Sequence, residues 1–513
     1  MSASAEPAAA APPPSSRLAL LLTLLAVITA YRFAVLATSG LDLYVDEAQY
    51  WTWAQHLAWG YFSKPPVIAV VIAATTAVCG DGAVCVKSGA PLIYLLVALL
   101  IYAIARRLFD ARIAFWSALV FFTLPGAAFS SMIISTDVPL FLCWTAALYC
   151  YLRALDSRGW AWWLAAGVVS GIGLLTKYTM LIFAVSVVLH LASSREYRHW
   201  LRRAQPYLTM LLAAAVFMPN VWWNAVNGWP TLHHTTTISG LESSSAAAAH
   251  GSWLAHLHGH ELLAFLGGQF AIMGPVFLLA WIAQLAGRGS WTRDPRYQLL
   301  LWFAAPFLAV ISLQALFGRA NANWAAMVYA SATIFVVARL IDRGQWRWIG
   351  IGIGFNVAVT GLAYHYDALA RLAGVTMNRK TDVYKRVRGW DEFGAQAQAL
   401  RAQHPGALFL GDSRDTLAEL MYYVRPHPLD AVEWNPSGAI DDHYALTTTM
   451  ADKLGRDFLY VSHDQRLPPR VAASFAGSEP LAPIDVEIHP DYRLDYRVWL
   501  LRDFRGYAPP VKN

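Results

Sequence analysis

Eleven long apolar runs constrain this chain more than any other feature. They are Leu18–Thr38, Pro91–Ala105, Ile113–Ile133, Val138–Leu152, Trp160–Leu175, Met180–Leu191, Pro206–Trp222, Leu262–Ala286, Leu299–Phe317, Trp324–Ala338 and Trp348–Ala363. A helix crosses a bilayer with about 20 largely apolar residues, and lengths of about 17 to 25 are common. The runs therefore predict a polytopic α-helical membrane protein of about 11 transmembrane helices, the shorter ones completed by neighbouring polar residues or buried interfaces. Composition agrees: 57% of residues are hydrophobic and 14% charged, whereas soluble domains carry about a quarter charged residues.

Orientation follows from Lys and Arg in the short loops. With the N-terminus in the cytoplasm, the inner side holds sixteen cations: Arg17, Arg106, Arg107, Arg112, Arg153, Arg158, Arg195, Arg198, Arg202, Arg203, Arg288, Arg293, Arg296, Arg339, Arg343 and Arg347. The outer loops hold four: Lys64, Lys87, Lys177 and Arg319. The net charge of +6 thus reflects anchoring to an acidic inner leaflet and calls for no nucleic-acid partner. An odd number of spans puts the tail, from about Asp367 onward, outside.

Three parts are expected: a disordered leader, residues 1–16; a multi-span domain, residues 17–366; and a periplasmic α/β domain, residues 367–513. In the tail the pattern predicts helices at Val383–Ala402, Thr416–Val424 and near Thr447–Arg456. Strands are expected at Ala407–Gly411, Phe458–Ser462 and Tyr496–Leu501. Such alternation reads as a small α/β fold. Two outer loops are long, Gly40 to about Ala90 and roughly Asn224–Glu261. Cys79 and Cys85 fall in the first, where an oxidising compartment permits a disulfide and two unpaired small residues are the alternative. Cys143 and Cys150 read as packing in one apolar helix. No Walker sequence or dinucleotide fingerprint is present.

Polar residues at the outer ends of the runs carry the chemistry. Asp46 and Glu47 stand in an aromatic stretch followed by Tyr61-Phe62-Ser63-Lys64-Pro65-Pro66. A carboxylate in such surroundings is a plausible proton acceptor, although adjacent residues point in different directions. Asp137 is pinned in the short turn Ser135–Pro139, where a helix N-cap is the structural alternative. Lys64, Lys177 and Arg319 defy the topological bias, each at a sharply placed junction. Cations kept at a membrane interface are functional candidates, and these suit an anionic headgroup; snorkelling is the alternative. Arg32, inside the first run, either snorkels or joins them. His233, His234, His250, His256, His258 and His260 cluster in the second loop but match no closed zinc template.

In order along the chain, Asp46-Glu47, Tyr61–Pro66, Thr136–Pro139, Leu175–Tyr178, Pro219-Asn220 with Trp223-Asn224, and Asn323-Trp324 resemble the bacterial branch of the dolichyl-phosphate-mannose:protein mannosyltransferase-like superfamily. That branch includes transferases of aminoarabinose to lipid A and of galacturonic acid to rhizobial lipopolysaccharide. The resemblance covers the membrane domain and implies a GT-C fold. It implies an undecaprenyl-phosphate-linked sugar as donor, and lipid A, lipopolysaccharide core or protein as acceptor. By motif position, Asp46 and Asp137 match essential acidic residues and Lys64 the lysine beside the donor phosphate. Glu47 accompanies Asp46 as a catalytic candidate. Lys177 and Arg319 join Lys64 as phosphate-binding candidates, and Tyr61, Tyr178, Asn224 and Asn323 are substrate-binding candidates. Where the aminoarabinose transferase has an acidic residue associated with metal, this chain has Ser63. No metal ligand is assigned and no cofactor is required.

The expected reaction is an inverting displacement at the anomeric carbon, with Asp46 taking the acceptor proton and the cations stabilising the departing phosphate. A polyprenyl-lipid or glycan flippase is the rival. Transporters commonly show internal repeats and broken midplane helices, whereas these charges gather at one face.

Overall fold

The computed structural model describes residues 14–157, 159–239, 257–287 and 290–509. Most of the expected leader, Arg158, Arg288, His250 and His256 lie outside the described residues.

Helices built on the apolar runs make up the first part. Five are long and apolar enough to cross a membrane: Ser16–Thr38, Ala83–Leu108, Asp137–Asp156, Ala204–Val226 and Pro295–Phe317. The expected single run Leu262–Ala286 is two helices, Gly259–Met273 and Pro275–Ala286, bent by 114°. Gly274 makes the break: its φ of +77° suits glycine, and a Cβ there would collide with the Asn356 side chain. Pro275 then opens the second helix, where its missing N–H costs nothing. Ile113–Ile133 is also broken, at the extended Leu124 before Pro125, into Ala111–Thr123 and Pro125–Ser130. The first long outer loop is mostly helical, with Val45–Gln55 and the apolar Val67–Cys79. The latter's 13 residues are too few to span hydrocarbon alone.

Cys79 and Cys85 form a disulfide, while Cys143 and Cys150 are free and buried. Arg32 neither snorkels nor joins the outer cations. It is buried in its helix, donates to the Phe122 carbonyl at 2.6 Å and lies 4.0 Å from that ring's centroid.

The C-terminal part is a six-stranded sheet: β1 (Leu408–Gly411), β2 (Val432–Glu433), β3 (Phe458–Ser462), β4 (Phe475–Pro480), β5 (Ile484–His489) and β6 (Tyr492–Phe504). The order is β2-β1-β3-β6-β4, with β5 also paired to β6. β1 is parallel to β2 and β3; the pairs with β6 are antiparallel. Alternate residues serve two cores. Leu459 and Val461 join the large core that continues into the membrane helices, and Phe458 and Tyr460 a second one with Trp499 and Phe504.

Two expected tail helices differ. Val383–Ala402 begins at Trp390, because Gly389 takes a φ of +83° just before it. Thr447–Arg456 is not helical: a short helix His443–Thr447, capped by Asp442, ends as the Thr447–Thr449 run begins. Three β-branched threonines favour helix poorly.

The tail docks on the first loop. The Arg414–Tyr423 helix packs on the Val45–Gln55 helix. Tyr423 Oη accepts from Leu43 N at 2.6 Å, and Asp42 accepts from Trp390 N at 2.8 Å. Burial pushes the Asp42 carboxyl up to about 6 against its hydrogen bonds and Lys87, which favour the anion. A raised carboxyl favours the fold while protonated, and that contribution is lost as pH rises through about 6. Asp42→Asn keeps an acceptor for Trp390 without the buried charge. Its melting temperature in detergent should therefore exceed wild type at pH 8 and converge with it near pH 4; lower stability at both pH values would refute this account.

Candidate active site

The turns that carry Lys64, Asp137, Lys177 and Asn323 and the start of the Val45–Gln55 helix meet one tail helix, Arg414–Tyr423, at one end of the helix bundle. Asp137 is the first residue of the Asp137–Asp156 helix, and Thr136 occupies the N-cap without a capping side-chain bond. The carboxylate is used sideways. Oδ1 accepts from Lys177 Nζ at 2.7 Å and Oδ2 from Asn323 Nδ2 at 3.0 Å. The pair is largely buried, with side chains 19% and 11% exposed for Lys177 and Asp137, so mutual neutralisation matters more than at an open surface. The Trp324 ring lies 5.5 Å from Lys177 Nζ. Residues 40 and 186 positions apart from Asp137 thus fix one carboxylate.

Lys64 enters from the Tyr61–Pro66 turn. That turn is held by Tyr61 N donating to Lys64 O at 3.0 Å, and Val67 N donating to Leu175 O ties it to the Lys177 turn. Tyr61 stacks on Trp53 at 4.4 Å between ring centroids, and its hydroxyl donates to the Trp53 carbonyl. Tyr178 Oη donates to Asn220 Oδ1 at 3.0 Å and lies 3.3 Å from Asn224 Nδ2. Asn220 Nδ2 reaches Trp59 O at 2.7 Å, and Thr231 Oγ1 reaches Tyr61 O at 2.8 Å. A Cβ at Gly60 would collide with Trp223, so glycine lets this web close. Tyr61, Tyr178 and Asn224 therefore hold the turn that presents Lys64. Burial, and then repulsion from Lys177, bring the Lys64 ammonium down to about 8, while Asp137 and Asp46 oppose the shift.

Asp46 and Glu47 begin the Val45–Gln55 helix and part company there. Glu47 is 1% exposed. It accepts from Tyr44 N at 2.9 Å and Ile134 N at 2.7 Å, with Lys87 Nζ 3.6 Å away. Lys87 itself donates to Asp42 O at 2.7 Å. Asp46 keeps 44% of its side chain exposed and faces Arg414 at 2.8 Å. Arg414 also donates to Gln49 Oε1 at 2.8 Å. Its guanidinium is held well above the ordinary range, burial opposing and Asp46 and Asp415 overriding it.

Arg414 escaped the sequence reading because 368 residues separate it from Asp46. The only signal was its place just after β1, in Asp412-Ser413-Arg414, where the carboxyl ends of parallel strands commonly receive ligands. Arg319 is exposed on the loop bearing Asn323 and has no ion pair among the described residues. His234 packs its ring 5.1 Å from Phe62; burial and then Lys64 bring it down to about 4.

No group of three or more His, Cys, Asp or Glu able to hold a metal occurs among the described residues. Both site carboxylates face cations, Asp46 with Arg414 and Asp137 with Lys177, which is a poor donor set for a divalent ion.

Residues 63–223 match the family described as dolichyl-phosphate-mannose-protein mannosyltransferase. The chain is 32% identical over 425 residues to the lipid A galacturonosyltransferase RgtD of Rhizobium johnstonii, across 81% of this chain and 85% of that protein. It is 25% identical over 398 residues to the lipopolysaccharide core galacturonosyltransferase RgtB of the same organism, across 74% and 76%. Its fold matches the crystal structure of ArnT from Cupriavidus metallidurans bound to undecaprenyl phosphate. The TM-score is 0.62 at 16% identity, over 95% of this chain and 98% of that one. The chain belongs to the dolichyl-phosphate-mannose-protein mannosyltransferase-like family of GT-C membrane glycosyltransferases, together with the rhizobial galacturonosyltransferases.

Proposed function

We propose that this glycosyltransferase moves a hexuronic acid from an undecaprenyl-phosphate carrier to lipid A or lipopolysaccharide core at the periplasmic face of the inner membrane. The observation that carries the reading is the Asp137–Lys177–Asn323 constellation beside Lys64, in a chain 32% identical to a lipid A galacturonosyltransferase. The charge asymmetry of the loops supports a cytoplasmic N-terminus, about 11 crossings and a periplasmic domain over residues 367–513. Contact of Arg414 with Asp46 supports one face for the tail and the site.

In this mechanism an acceptor hydroxyl oxygen attacks the anomeric carbon as the bond to the phosphate oxygen breaks. The bonding pair leaves with the polyprenyl phosphate, and the configuration inverts. Asp46, the more open carboxylate, takes the hydroxyl proton. Lys64 and Lys177 stabilise charge on the departing phosphate, preorganised where water is scarce. Asp137 and Asn323 set the position of Lys177, and Arg414 sets that of Asp46. Glu47 fixes the start of the helix that carries the base. Arg319, exposed at the rim, attracts the anionic headgroup. Tyr61, Tyr178 and Asn224 keep the Lys64 turn in place.

Full-length protein in nanodiscs, given polyprenyl-phosphate galacturonate and lipid A, should yield galacturonosylated lipid A by mass spectrometry. Asp46→Asn and Asp137→Asn should each lower kcat by about 10²-fold or more while the protein stays folded; near-normal turnover in either variant would remove that residue's role. Arg414→Ala should lower kcat with little change in donor KM, and Arg414→Lys should recover part of it.

Lys64 gives a pH test. A lysine brought down to about 8 is cationic below that pH and loses its charge above it. Donor KM should rise above pH 8, and Lys64→Arg should flatten that rise because guanidinium stays charged. A KM equally pH-dependent in both proteins would sink the phosphate role of Lys64.

A further inference from the structure

The short turn Ala322–Ala325 touches the Asp137–Lys177 pair twice. Asn323 Nδ2 donates to Asp137 Oδ2 at 3.0 Å, and the Trp324 ring lies 5.5 Å from Lys177 Nζ. Both side chains leave one 3₁₀ turn of four residues, so whatever fixes that turn fixes both contacts together. A piece this short has few hydrogen bonds of its own to hold it.

The first half of the broken helix, Gly259–Met273, packs against the turn. Gly268 sets the approach: a Cβ there would come to 2.6 Å from the Ala322 Cβ. Gln269 follows it and is 3% exposed. An amide buried so deeply is costly unless it is hydrogen-bonded, and this one is bonded at both ends. Nε2 donates to the Phe265 carbonyl at 2.8 Å and to the Ala322 carbonyl at 3.2 Å, while Oε1 accepts from Tyr329 Oη. The two carbonyls can only accept, so they fix which end of the amide faces the turn. The bond to Phe265 stays within the helix. The other two run to the turn itself and to the Val328–Asp342 helix that follows it, where Tyr329 is the second residue and 2% exposed. Space-filling alone would need no amide here, since Met has a similar length and no polar group to satisfy.

We infer that Gln269 is a positioning residue for glycosyl transfer. It clamps the Ala322–Ala325 turn so that Asn323 and Trp324 keep Asp137 and Lys177 in place, and Tyr329 orients its amide. Gln269 touches no substrate and acts through Asn323. The inference rests on the functional reading above and extends the site into the broken helix, close to its end at Met273. A small misplacement of a charged group costs rate even when every reacting group is still present.

The test is a double-mutant cycle on full-length protein in nanodiscs, with polyprenyl-phosphate galacturonate as donor and lipid A as acceptor. Gln269→Met removes the amide and keeps its length; Tyr329→Phe is the milder variant, removing one hydroxyl and keeping the ring. Gln269→Met should lower kcat/KM for the donor by about tenfold or more, and Tyr329→Phe should lower it less. In an Asn323→Ala background each should change kcat/KM by less than about twofold, because the contact through which they act is already gone. A merely structural residue would lower kcat/KM by the same factor in both backgrounds; that result overturns the inference, as does near-normal kcat/KM for both variants in the wild-type background. Affinity for undecaprenyl phosphate, measured on donor-free protein, separates this failure from that of the functional reading. If wild type transfers no galacturonate, that reading fails and the same cycle is read in this affinity. Losses that vanish in the Asn323→Ala background still support the clamp; equal losses, no losses or no binding by wild type overturn it.

Discussion

A charge in largely apolar surroundings stays there only beside an opposite charge or water, and the end of the helix bundle that carries Asp137 is organised by that requirement. Asp137 lies against Lys177, Glu47 near Lys87 and Asp46 against Arg414. Each pair joins segments far apart in the chain, so charge pairing also sets how the loops lie. The consequences differ with burial. Glu47 is wholly enclosed and its oxygens serve backbone amides, whereas Asp46, one residue earlier, remains open on one side. The helical rotation between neighbouring residues is enough to give one carboxylate a scaffolding part and leave the other half-exposed against Arg414.

Breaks in the helices make room for this arrangement. Gly274 with Pro275, and Leu124 with Pro125, interrupt apolar stretches that would otherwise run on as helix. The second of these breaks leads into the turn that ends at Asp137. The tail then closes the face from above. Its parallel strands end near Arg414, which reaches down to Asp46 and Gln49. A soluble-looking appendage thereby becomes part of the site.

Some elements were legible because their signals are local. Apolar runs marked the helices, and the doubly buried β3 stood out as Phe-Leu-Tyr-Val-Ser. β4 was not legible: Phe475–Pro480 is mostly exposed, with a glycine and a terminal proline. Of the site, Asp137 and Lys177 were visible as polar residues at sharp junctions, and the structure brings them to 2.7 Å. Tyr61, Tyr178 and Asn224 were visible as residues of interest, as candidate ligands of substrate. The structure gives them a hydrogen-bonded web that holds the Lys64 turn. Capping was the structural alternative for Asp137, and the geometry assigns that position to Thr136.

By itself, the sequence determined that this chain is a membrane helix bundle with its charges gathered at the ends of the apolar runs, because hydrophobicity and loop charge act residue by residue and need no partner to be read. It also carried the ordered motifs of a glycosyltransferase family. Only the tertiary structure decided which charges meet. Arg414 lies 368 residues from Asp46, and no periodicity or spacing encodes that approach; it exists because the Arg414–Tyr423 helix packs on the Val45–Gln55 helix. The same holds for the cavity of about 210 Å³ whose walls come from the end of the first spanning helix, the 129–133 turn and the Tyr366–Leu372 helix. Long-range pairing is a property of the packed chain, since charges so far apart in sequence come within a few ångströms of each other only when folding brings their segments together.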